Sequence, residues 1–213
     1  MDEDKRVRKT GTTTVGILCK DGIVLAADKR ATAGIVVNKR EKKIHQLTDT
    51  MAVTMAGLVS DAQLLIKLGK AEIKLKDIQS GRPTTVVETA NLIAGMLYSN
   101  IRRMSMVPGI VGFLLGGKDD NGFHLYDLGI DGSVSKADDY VSDGSGSVFA
   151  LGVLEAQYRR GLDVEEGVKL AITAISAAMQ RDTASGNGID VLTITESGAK
   201  FVFTKELNTR IEA

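Results

Sequence analysis

The sequence has few of the residues from which covalent or metal-centred frameworks are built. Cys19 is the only cysteine among 213 residues, which excludes an intrachain disulfide framework and a cysteine-built zinc site. A single cysteine also fits a reducing compartment, so the cytoplasm is the expected location. With only two prolines, no internal repeat and no low-complexity tract, the chain gives no sign of a linker, and one compact domain is expected.

The chain also has no net charge at neutral pH. Lys plus Arg equals Asp plus Glu at 27 each, and no arginine-rich stripe with interleaved aromatics is present, so nucleic acid is not an expected partner. The start, MDEDKRVRKTG, mixes both charges without an apolar core, which excludes a signal peptide and a membrane span there; no membrane partner is expected. These residues read either as a removable tail or as an ordinary charged terminus.

Histidine is scarce as well, and this limits the classes of catalytic site. A Ser-His-Asp or Cys-His arrangement would need His45 or His124, the only two histidines, and both fall in predicted strands. The run from Gly144 to Ser147 precedes a predicted helix and could cradle an anion, but it lacks the Lys-Ser/Thr of a phosphate loop. Acidic pairs such as Asp119-Asp120 have the character of solvated turns without metal-ligand spacing, so neither a metal nor a cofactor is expected.

The patterns that are present predict alternating blocks of strands and helices. Strands are predicted over 12–28, with a hairpin turn at Lys20-Asp21-Gly22, and again over 44–57, 110–134 and 189–204. Two helices are predicted between the second and third strand blocks. The first opens at Asp61, ends near Ser80-Gly81 and has an apolar stripe of Leu64, Leu65, Leu68, Ala71, Ile73 and Leu75.

The second helix carries Pro83 in its first turn and runs to about Met104. A third helix begins at Ser147, and Asp163 with Glu166 forms a capping-box-like start for a fourth. This order predicts an α+β fold in which two antiparallel sheets pack face to face, with a helix pair on each outer side: a four-layer αββα sandwich.

The junction between Gly11 and Thr12 is a candidate for chemistry that needs no histidine. If Thr12 becomes the first residue, its hydroxyl and its α-amine belong to one residue, and an amine with a pKa of about 7.7 to 8 can accept the hydroxyl proton near neutrality. Before cleavage that nitrogen is an amide and cannot act as a base. Gly11, without a Cβ, would allow the tight turn that presents its carbonyl to Thr12. Read alone, however, Gly-Thr-Thr-Thr is also an ordinary strand beginning.

Around this junction the chain resembles proteasome β subunits of the archaeal type, which carry a short propeptide. The resemblance extends from Gly11 to about Thr204, through the segments GTTTVG, LAADKRATAG, KKI, MAGLVSDAQ, GSGS, GVLEAQY and QRDTASGNGIDV. It implies a propeptide, residues 1–11, removed by autolysis between Gly11 and Thr12, and a single catalytic domain over 12–213. It also implies the four-layer fold of N-terminal-nucleophile hydrolases.

The resemblance implies roles on the hydroxyl side of Thr12. Thr12 would be the nucleophile, Lys43 would lie beside its hydroxyl, and Asp28 would orient Lys43 by a charge-assisted hydrogen bond. Read alone, Lys43 ends an ordinary charged run and Asp28 is a turn residue. Because the chain is one residue shorter than expected between Thr32 and Lys43, the choice of Lys43 over Lys42 rests on the KKI match.

On the other sides of Thr12, the resemblance implies an oxyanion donor, an amine site and a substrate pocket. The Gly57 N–H would meet the oxyanion, and Ser145, Asp182 and Ser185 would hold the amine and its water. Without the resemblance, Gly57 is a strand end and Ser145 a helix cap. Asp182 and Ser185 are then only the stop of a helix. The expected substrate-binding residues are Arg30, Ala31, Thr32, Met55 and Val59, of which Ala31, Met55 and Val59 would line the pocket for the residue before the cut bond, while Thr32 would pair its backbone with the substrate.

The expected function is therefore peptide-bond hydrolysis by a catalytic proteasome β subunit that degrades unfolded proteins inside a barrel-shaped particle. The implied partners are further copies in a seven-membered β ring, rings of α subunits, unfolded polypeptide and, indirectly, a regulatory ATPase. Two alternatives stay open: a structural β subunit that keeps its tail, and a bacterial ATPase-capped threonine peptidase of the same fold. An asparaginase-like amidase would place its threonine deep in the chain.

Overall fold

The computed structural model describes residues 11–207, so the first ten residues of the predicted propeptide lie outside the described part. The first strands are β1 (Thr14–Cys19), β2 (Gly22–Asp28), β3 (Ala31–Thr32), β4 (Val36–Asn38), β5 (Ile44–Gln46) and β6 (Met51–Gly57). Helices α1 (Val59–Ser80) and α2 (Val86–Arg102) follow. The next strands are β7 (Val111–Asp119), β8 (Gly122–Leu128), β9 (Val134–Ala137) and β10 (Tyr140–Asp143). Helices α3 (Ser147–Gln157) and α4 (Val164–Arg181) precede β11 (Gly188–Thr195) and β12 (Gly198–Glu206).

The strands form two five-stranded antiparallel sheets and one small hairpin. The first sheet has the order β10-β1-β2-β11-β12 and the second the order β5-β6-β7-β8-β9, while β3 pairs with β4. The predicted hairpin is confirmed, because Cys19 pairs with Gly22 across a turn of Lys20 and Asp21. We call the first sheet the N-terminal sheet, since β1 begins two residues after Thr12, and the second the central sheet.

Side-chain alternation along the strands builds three apolar layers. On β2, Val24 and Ala26 face α3 and α4, whereas Ile23, Leu25 and Ala27 face the central sheet. On β6, Met51, Val53 and Met55 pack against α1 and α2, and Ala52 faces the N-terminal sheet. Since successive strand residues point to opposite faces, each sheet is covered on both sides. The predicted four-layer αββα sandwich is confirmed.

The helices agree with the prediction in number and position and differ in detail. The capping box of α4 is present, with the Glu166 N–H donating to Asp163 and the Asp163 N–H to Glu166. Helix α2 begins later than Pro83 and has a capping box of its own, formed by Thr85 and Glu88. None of the helices within residues 11–207 is long and apolar enough to cross a membrane.

The apolar stripe predicted for α1 is wrong for four of its six residues. Leu65 and Ile73 are buried, whereas the other predicted members are exposed: Leu64, Leu68, Ala71 and Leu75. The helix has apolar residues on two faces, and the face that packs against the sheet consists of Ala62, Leu65, Ile66, Gly69 and Ile73. This face includes a glycine and an alanine, and hydrophobicity alone gives such residues little weight.

Candidate active site

Thr12 lies just before β1, at one end of the N-terminal sheet, and is 6% exposed. Its backbone N–H donates to Ser145 Oγ at 3.2 Å. Ser145 follows β10, the strand that pairs with β1, so strand pairing places the loop from Gly144 to Ser147 next to Thr12. The predicted amine-side residue Ser145 is therefore within hydrogen-bond distance of the Thr12 nitrogen.

A chain of hydroxyl and carboxylate groups extends from Ser145. Ser145 Oγ and Ser185 Oγ both donate to Asp182 Oδ2 at 2.6 Å, and Asp182 is the C-cap residue of α4. Ser185 Oγ also lies 2.7 Å from Thr13 Oγ1; since its own proton goes to Asp182, the Thr13 hydroxyl is the donor. The three residues predicted for the amine side thus form one network that contacts both Thr12 and Thr13.

On the other side, Asp28 and Lys43 form a buried ion pair. Lys43 Nζ donates to Asp28 Oδ1 at 2.7 Å, and the side chains are 2% and 0% exposed. Asp28 also accepts the N–H groups of Thr13, Arg30 and Gly186 at 2.8–2.9 Å. Four donors therefore hold this carboxylate, and it in turn fixes the ammonium.

The environment of Lys43 has two opposing effects on its pKa. Burial lowers this pKa, because a low-dielectric interior disfavours the ammonium form, while the charge and hydrogen bond of Asp28 act in the opposite direction. Burial is the larger effect. Such an ammonium is poorly solvated and has its strongest partner in Asp28, so it interacts strongly with any negative charge that develops nearby.

The two neighbouring lysines differ sharply in position. Lys42 is exposed, and its carbonyl accepts from the His45 ring at 2.9 Å, whereas Lys43 points inward. The Met55 N–H donates to the Lys43 carbonyl at 2.8 Å, so Lys43 is held at the end of β5 next to β6. Both histidines lie on strands as predicted, His45 on β5 and His124 on β8, and neither lines the pocket beside Thr12.

A small pocket opens beside Thr12. Its lining consists of Gly11, Thr12, Ala31, Thr32, Lys43, Met55, Gly57 and Val59. The cavity measures about 20 Å³, which is room for about one water molecule. Apart from Lys43, which is paired with Asp28, the side chains that line it are uncharged. Four of the five predicted substrate-binding residues therefore share this pocket.

Arg30 is the exception among those five, because its side chain points to another part of the structure. Its Nε donates to Asn187 Oδ1 and one terminal nitrogen to the Thr183 carbonyl, both at 2.8 Å. Residues 182–187, which connect α4 to β11, are thus in direct contact with Arg30; we call them the amine loop, since they include Asp182 and Ser185.

Two glycines of the site are required by close approach. A Cβ on Gly11 would lie 1.8 Å from Ala184 Cβ and 2.9 Å from Ser145 Oγ, so packing against the amine loop excludes any larger residue before Thr12. Gly57 has φ of 108°, and a Cβ there would lie 2.1 Å from the Ile110 carbonyl. Gly57 thus combines a left-handed backbone conformation with a tight contact to the segment before β7.

Sequence reasoning missed several residues of the site. Gly144 packs on the Thr12 carbonyl and Gly146 on Thr13 Oγ1, at distances that leave no room for a Cβ. Thr13 contributes its hydroxyl and Gly186 its N–H. The sequence signals were the alternating Gly-Ser-Gly-Ser run and the Gly-Asn-Gly run at 186–188, which are typical of backbone that approaches another segment closely.

Comparison with known proteins agrees with this geometry. A model of the family described as "Proteasome subunit" matches residues 8–194. The chain belongs to the proteasome family. It is 44% identical over 203 residues to the proteasome subunit beta of Ferroglobus placidus, with 95% of each chain covered. It is 42% identical over 213 residues to that of Methanohalophilus mahii, covering 100% of this chain and 99% of that protein.

A third relative gives the same result. The proteasome subunit beta of Methanocaldococcus jannaschii is 40% identical over 205 residues, covering 95% of this chain and 90% of that protein. The chain is therefore a proteasome β subunit of the archaeal type, a family whose members are generally threonine proteases. Family membership implies assembly into rings together with α subunits.

Proposed function

We propose that this chain is a catalytic proteasome β subunit, an endopeptidase whose nucleophile is the hydroxyl of Thr12 after cleavage behind Gly11. The observation that carries the proposal is the convergence of two polar networks on one residue. The Ser145-Asp182-Ser185 network reaches the Thr12 nitrogen, and Lys43, which is paired with the buried Asp28, lines the pocket beside Thr12. A β subunit with a purely structural role has no need of a buried lysine at this pocket, where burial alone costs several kcal/mol.

The proposed reaction has two stages. Thr12 Oγ1 attacks the substrate carbonyl carbon while the α-amine, with Ser145 and Asp182, takes the hydroxyl proton. The Gly57 N–H stabilises the oxyanion, and Lys43 stabilises the developing alkoxide. The C–N bond then breaks as the leaving amine receives a proton, and an ester remains on Thr12. Water adds to the ester carbon with the amine again as base, the ester C–O bond breaks, and the hydroxyl is restored.

Self-cleavage would use the same oxygen. In the precursor Thr12 Oγ1 attacks the Gly11 carbonyl carbon, the Gly11–Thr12 C–N bond breaks as an ester forms, and water hydrolyses that ester. Residues 1–11 leave, and Thr12 gains a free amine where its amide N–H now contacts Ser145. Gly11 lines the pocket, so its departure would also enlarge the space beside Thr12 for a substrate side chain.

The proposed substrate is unfolded polypeptide, cut preferentially after large apolar residues. Ala31, Met55 and Val59 provide an uncharged lining, and Thr32 would pair its backbone with the substrate as an added strand. The proposed assembly is a seven-membered β ring stacked on a second one and flanked by α rings, with a regulatory ATPase acting through the α rings. Such enclosure restricts a general peptide-cleaving site to unfolded chains.

The deciding experiment combines intact mass with peptide hydrolysis by particles assembled with α subunits. We expect the unmodified chain to lose residues 1–11 and to cleave peptides, with those ending in Tyr or Leu turned over faster than those ending in Arg or Asp. Thr12→Ala should assemble, keep its tail and be inert, while Thr12→Ser should retain measurable activity. An assembled and active particle that keeps its tail, or an active Thr12→Ala variant, overturns the proposal; an assembled but inactive, unprocessed chain is the structural alternative.

A further inference from the structure

Arg30 contacts the amine loop at three places. Besides its hydrogen bonds to Asn187 and Thr183, its guanidinium packs closely against Gly186, where a Cβ would come within 2.5–2.8 Å of three guanidinium atoms. The planar group therefore covers the loop and bonds to it on both sides of Gly186. A lysine ammonium could form one of these bonds but could not reproduce this arrangement.

The amine loop needs such contacts because its backbone is not in a relaxed conformation. Asn187 has φ of 64°, the only positive value at a non-glycine position within residues 11–207, and it is 7% exposed. Contacts from the end of β2 hold the same loop: the Gly186 N–H donates to the Asp28 carboxylate, and the Lys29 N–H donates to the Gly186 carbonyl at 3.1 Å. The loop conformation is thus maintained by residues 28–30.

The loop conformation in turn determines where the amine network lies. Ser185 bonds Thr13 and Asp182, and Asp182 bonds Ser145, which accepts from the Thr12 nitrogen. A shift of the loop would therefore move the groups that hold the nitrogen of the nucleophile. A misplacement of about 1 Å in such a site can lower a rate by about 100-fold.

We propose that Arg30 is a positioning residue, which acts on the Thr12 amine through the amine loop and makes no contact with substrate. This inference rests on the proposed function. It differs from the substrate-binding role expected for Arg30, because the side chain bonds the loop and does not line the pocket. Its effect should therefore fall on the rate of the chemical step and should not depend on the substrate side chain.

The test is steady-state hydrolysis of two peptides, one ending in Tyr and one in Leu, by assembled particles whose processing is verified by intact mass. We expect Arg30→Lys to lower kcat by about 10- to 100-fold for both peptides with KM within about twofold. Asn187→Gly removes the acceptor for Nε while keeping a residue that tolerates a positive φ, and it should give a similar loss. The matched control is Arg40→Lys, because Arg40 is 76% exposed at its side chain and pairs with Glu206 on the surface.

A double-mutant cycle distinguishes the two roles of Arg30. If Arg30 acts through the loop, Arg30→Lys combined with Ser185→Ala should lower kcat by much less than the product of the two single losses. A change confined to KM, a loss that differs between the peptides, or full additivity with Ser185→Ala overturns the inference while leaving the proposed function intact. If unmodified particles are inert, or if Thr12→Ala is active, the proposed function itself fails. If Arg30→Lys does not assemble, the same double-mutant cycle is measured with Asn187→Gly and Ser185→Ala, and the same criteria apply.

Discussion

At the scale of single residues, the contacts just before β5 separate Lys43 from Lys42. Lys43 is 2% exposed, with its carbonyl bonded to the Met55 N–H and its ammonium to Asp28, while Lys42 is on the surface. Each Asp28 oxygen accepts two hydrogen bonds, one of the four from Lys43. The other three come from backbone N–H groups, which fix the carboxylate in place. The position of the ammonium is therefore set by both its own burial and the fixed carboxylate.

We predict that Lys43→Ala lowers peptide turnover by at least about 100-fold, because it removes the cation that shares a pocket with Thr12, the proposed nucleophile. Lys43→Arg should also be severely impaired, since a planar guanidinium does not fit a confined site built for an ammonium. Asp28→Asn should give a milder form of the same defect. The measurement is steady-state hydrolysis by assembled particles of verified mass.

Lys42→Ala is the matched control for this series. It removes an exposed lysine next in sequence, and we expect turnover close to that of the unmodified protein. If Lys42→Ala were inactive and Lys43→Ala active, the assignment of the catalytic lysine would be wrong. Intact mass of every variant separates a failure of self-cleavage from a failure of peptide hydrolysis.

Asp127 provides a residue-scale prediction about pH and stability. Burial, followed by the negative charge of Asp143 on the facing sheet, raises the pKa of Asp127 from 3.8 to about 6. Because the folded pKa is the higher one, protonation favours folding: this contribution is complete below about pH 4 and is lost as the pH rises through about 6. Because the half-buried carboxylate is partly screened by solvent, Asp127→Asn should stabilise the chain by only about 1 kcal/mol at pH 8 and have little effect at pH 4.

Thermal unfolding at pH 8 and pH 4 checks this prediction. Asp138→Asn is the control, because Asp138 is an exposed carboxylate of the neighbouring turn. The same change in melting temperature at both pH values, or destabilisation by Asp127→Asn at pH 8, would show that Asp127 is ionised without penalty in the folded chain.

The residues around Thr12 could be predicted from the sequence only where a motif marked them. The segments that resemble proteasome β subunits include four of the predicted residues: Thr12, Asp28, Lys43 and Ser145. Residues 144, 146 and 186 contribute backbone groups or the absence of a Cβ, and these depend on contacts between segments more than 100 residues apart in sequence. Such contacts leave little trace in the local pattern.

At the scale of elements, helix ends were predicted best where a side chain caps them. The sequence predicts the capping box at Asp163. For α2, by contrast, the prediction of the helix start rests on Pro83 and does not include the capping box of Thr85 and Glu88. The start of α1 was placed at Asp61 and lies two residues earlier, after Leu58, which makes no side-chain cap. The short strand β10 was not predicted, since its four residues are only half-buried and it is stabilised by pairing with β1.

The capping box of α2 leads to a prediction about stability. Thr85 accepts from the Glu88 N–H, and the Thr85 N–H donates to the Glu88 carboxylate at 2.9 Å. Thr85→Ala should lower the free energy of unfolding by about 1 kcal/mol, because the Glu88 N–H at the start of the helix loses its acceptor, whereas Thr85→Ser should keep most of the stability. Urea unfolding of the three proteins measures this.

The kinetic behaviour of these variants provides the control for that experiment. Thr85 lies outside the site, so peptide turnover by folded, assembled Thr85→Ala should match that of the unmodified protein. Equal stability of the alanine and threonine forms would mean that the cap is replaced by water at no cost.

At the scale of the whole molecule, the site is shared between the two sheets. Thr12, Asp28 and the amine loop belong to the N-terminal sheet and its connections, whereas Lys43 and the Met55–Gly57 segment belong to the central sheet. The apolar layer between the sheets therefore controls how the two halves of the site meet. Its members are Ile23, Leu25, Ala27, Ile44, Ala52, Leu125, Leu192 and Ile194.

Two leucines of the central sheet allow this dependence to be tested. Leu125 and Leu115 lie on adjacent paired strands and are both 0% exposed, but Leu125 faces the N-terminal sheet and Leu115 faces α1 and α2. A Cβ at Gly16 of β1 would lie 2.8 Å from Leu125, so this leucine packs on the strand that begins just after Thr12. Replacement of either leucine by alanine should cost about 2–5 kcal/mol of stability. We predict that Leu125→Ala also lowers kcat severalfold, because the strand that follows Thr12 loses its support, whereas Leu115→Ala leaves kcat nearly unchanged.

The comparison is made on assembled particles at a temperature at which circular dichroism shows both variants to be folded. Equal losses of kcat would indicate that activity follows overall stability, and a larger loss in Leu115→Ala would contradict the role of the layer between the sheets.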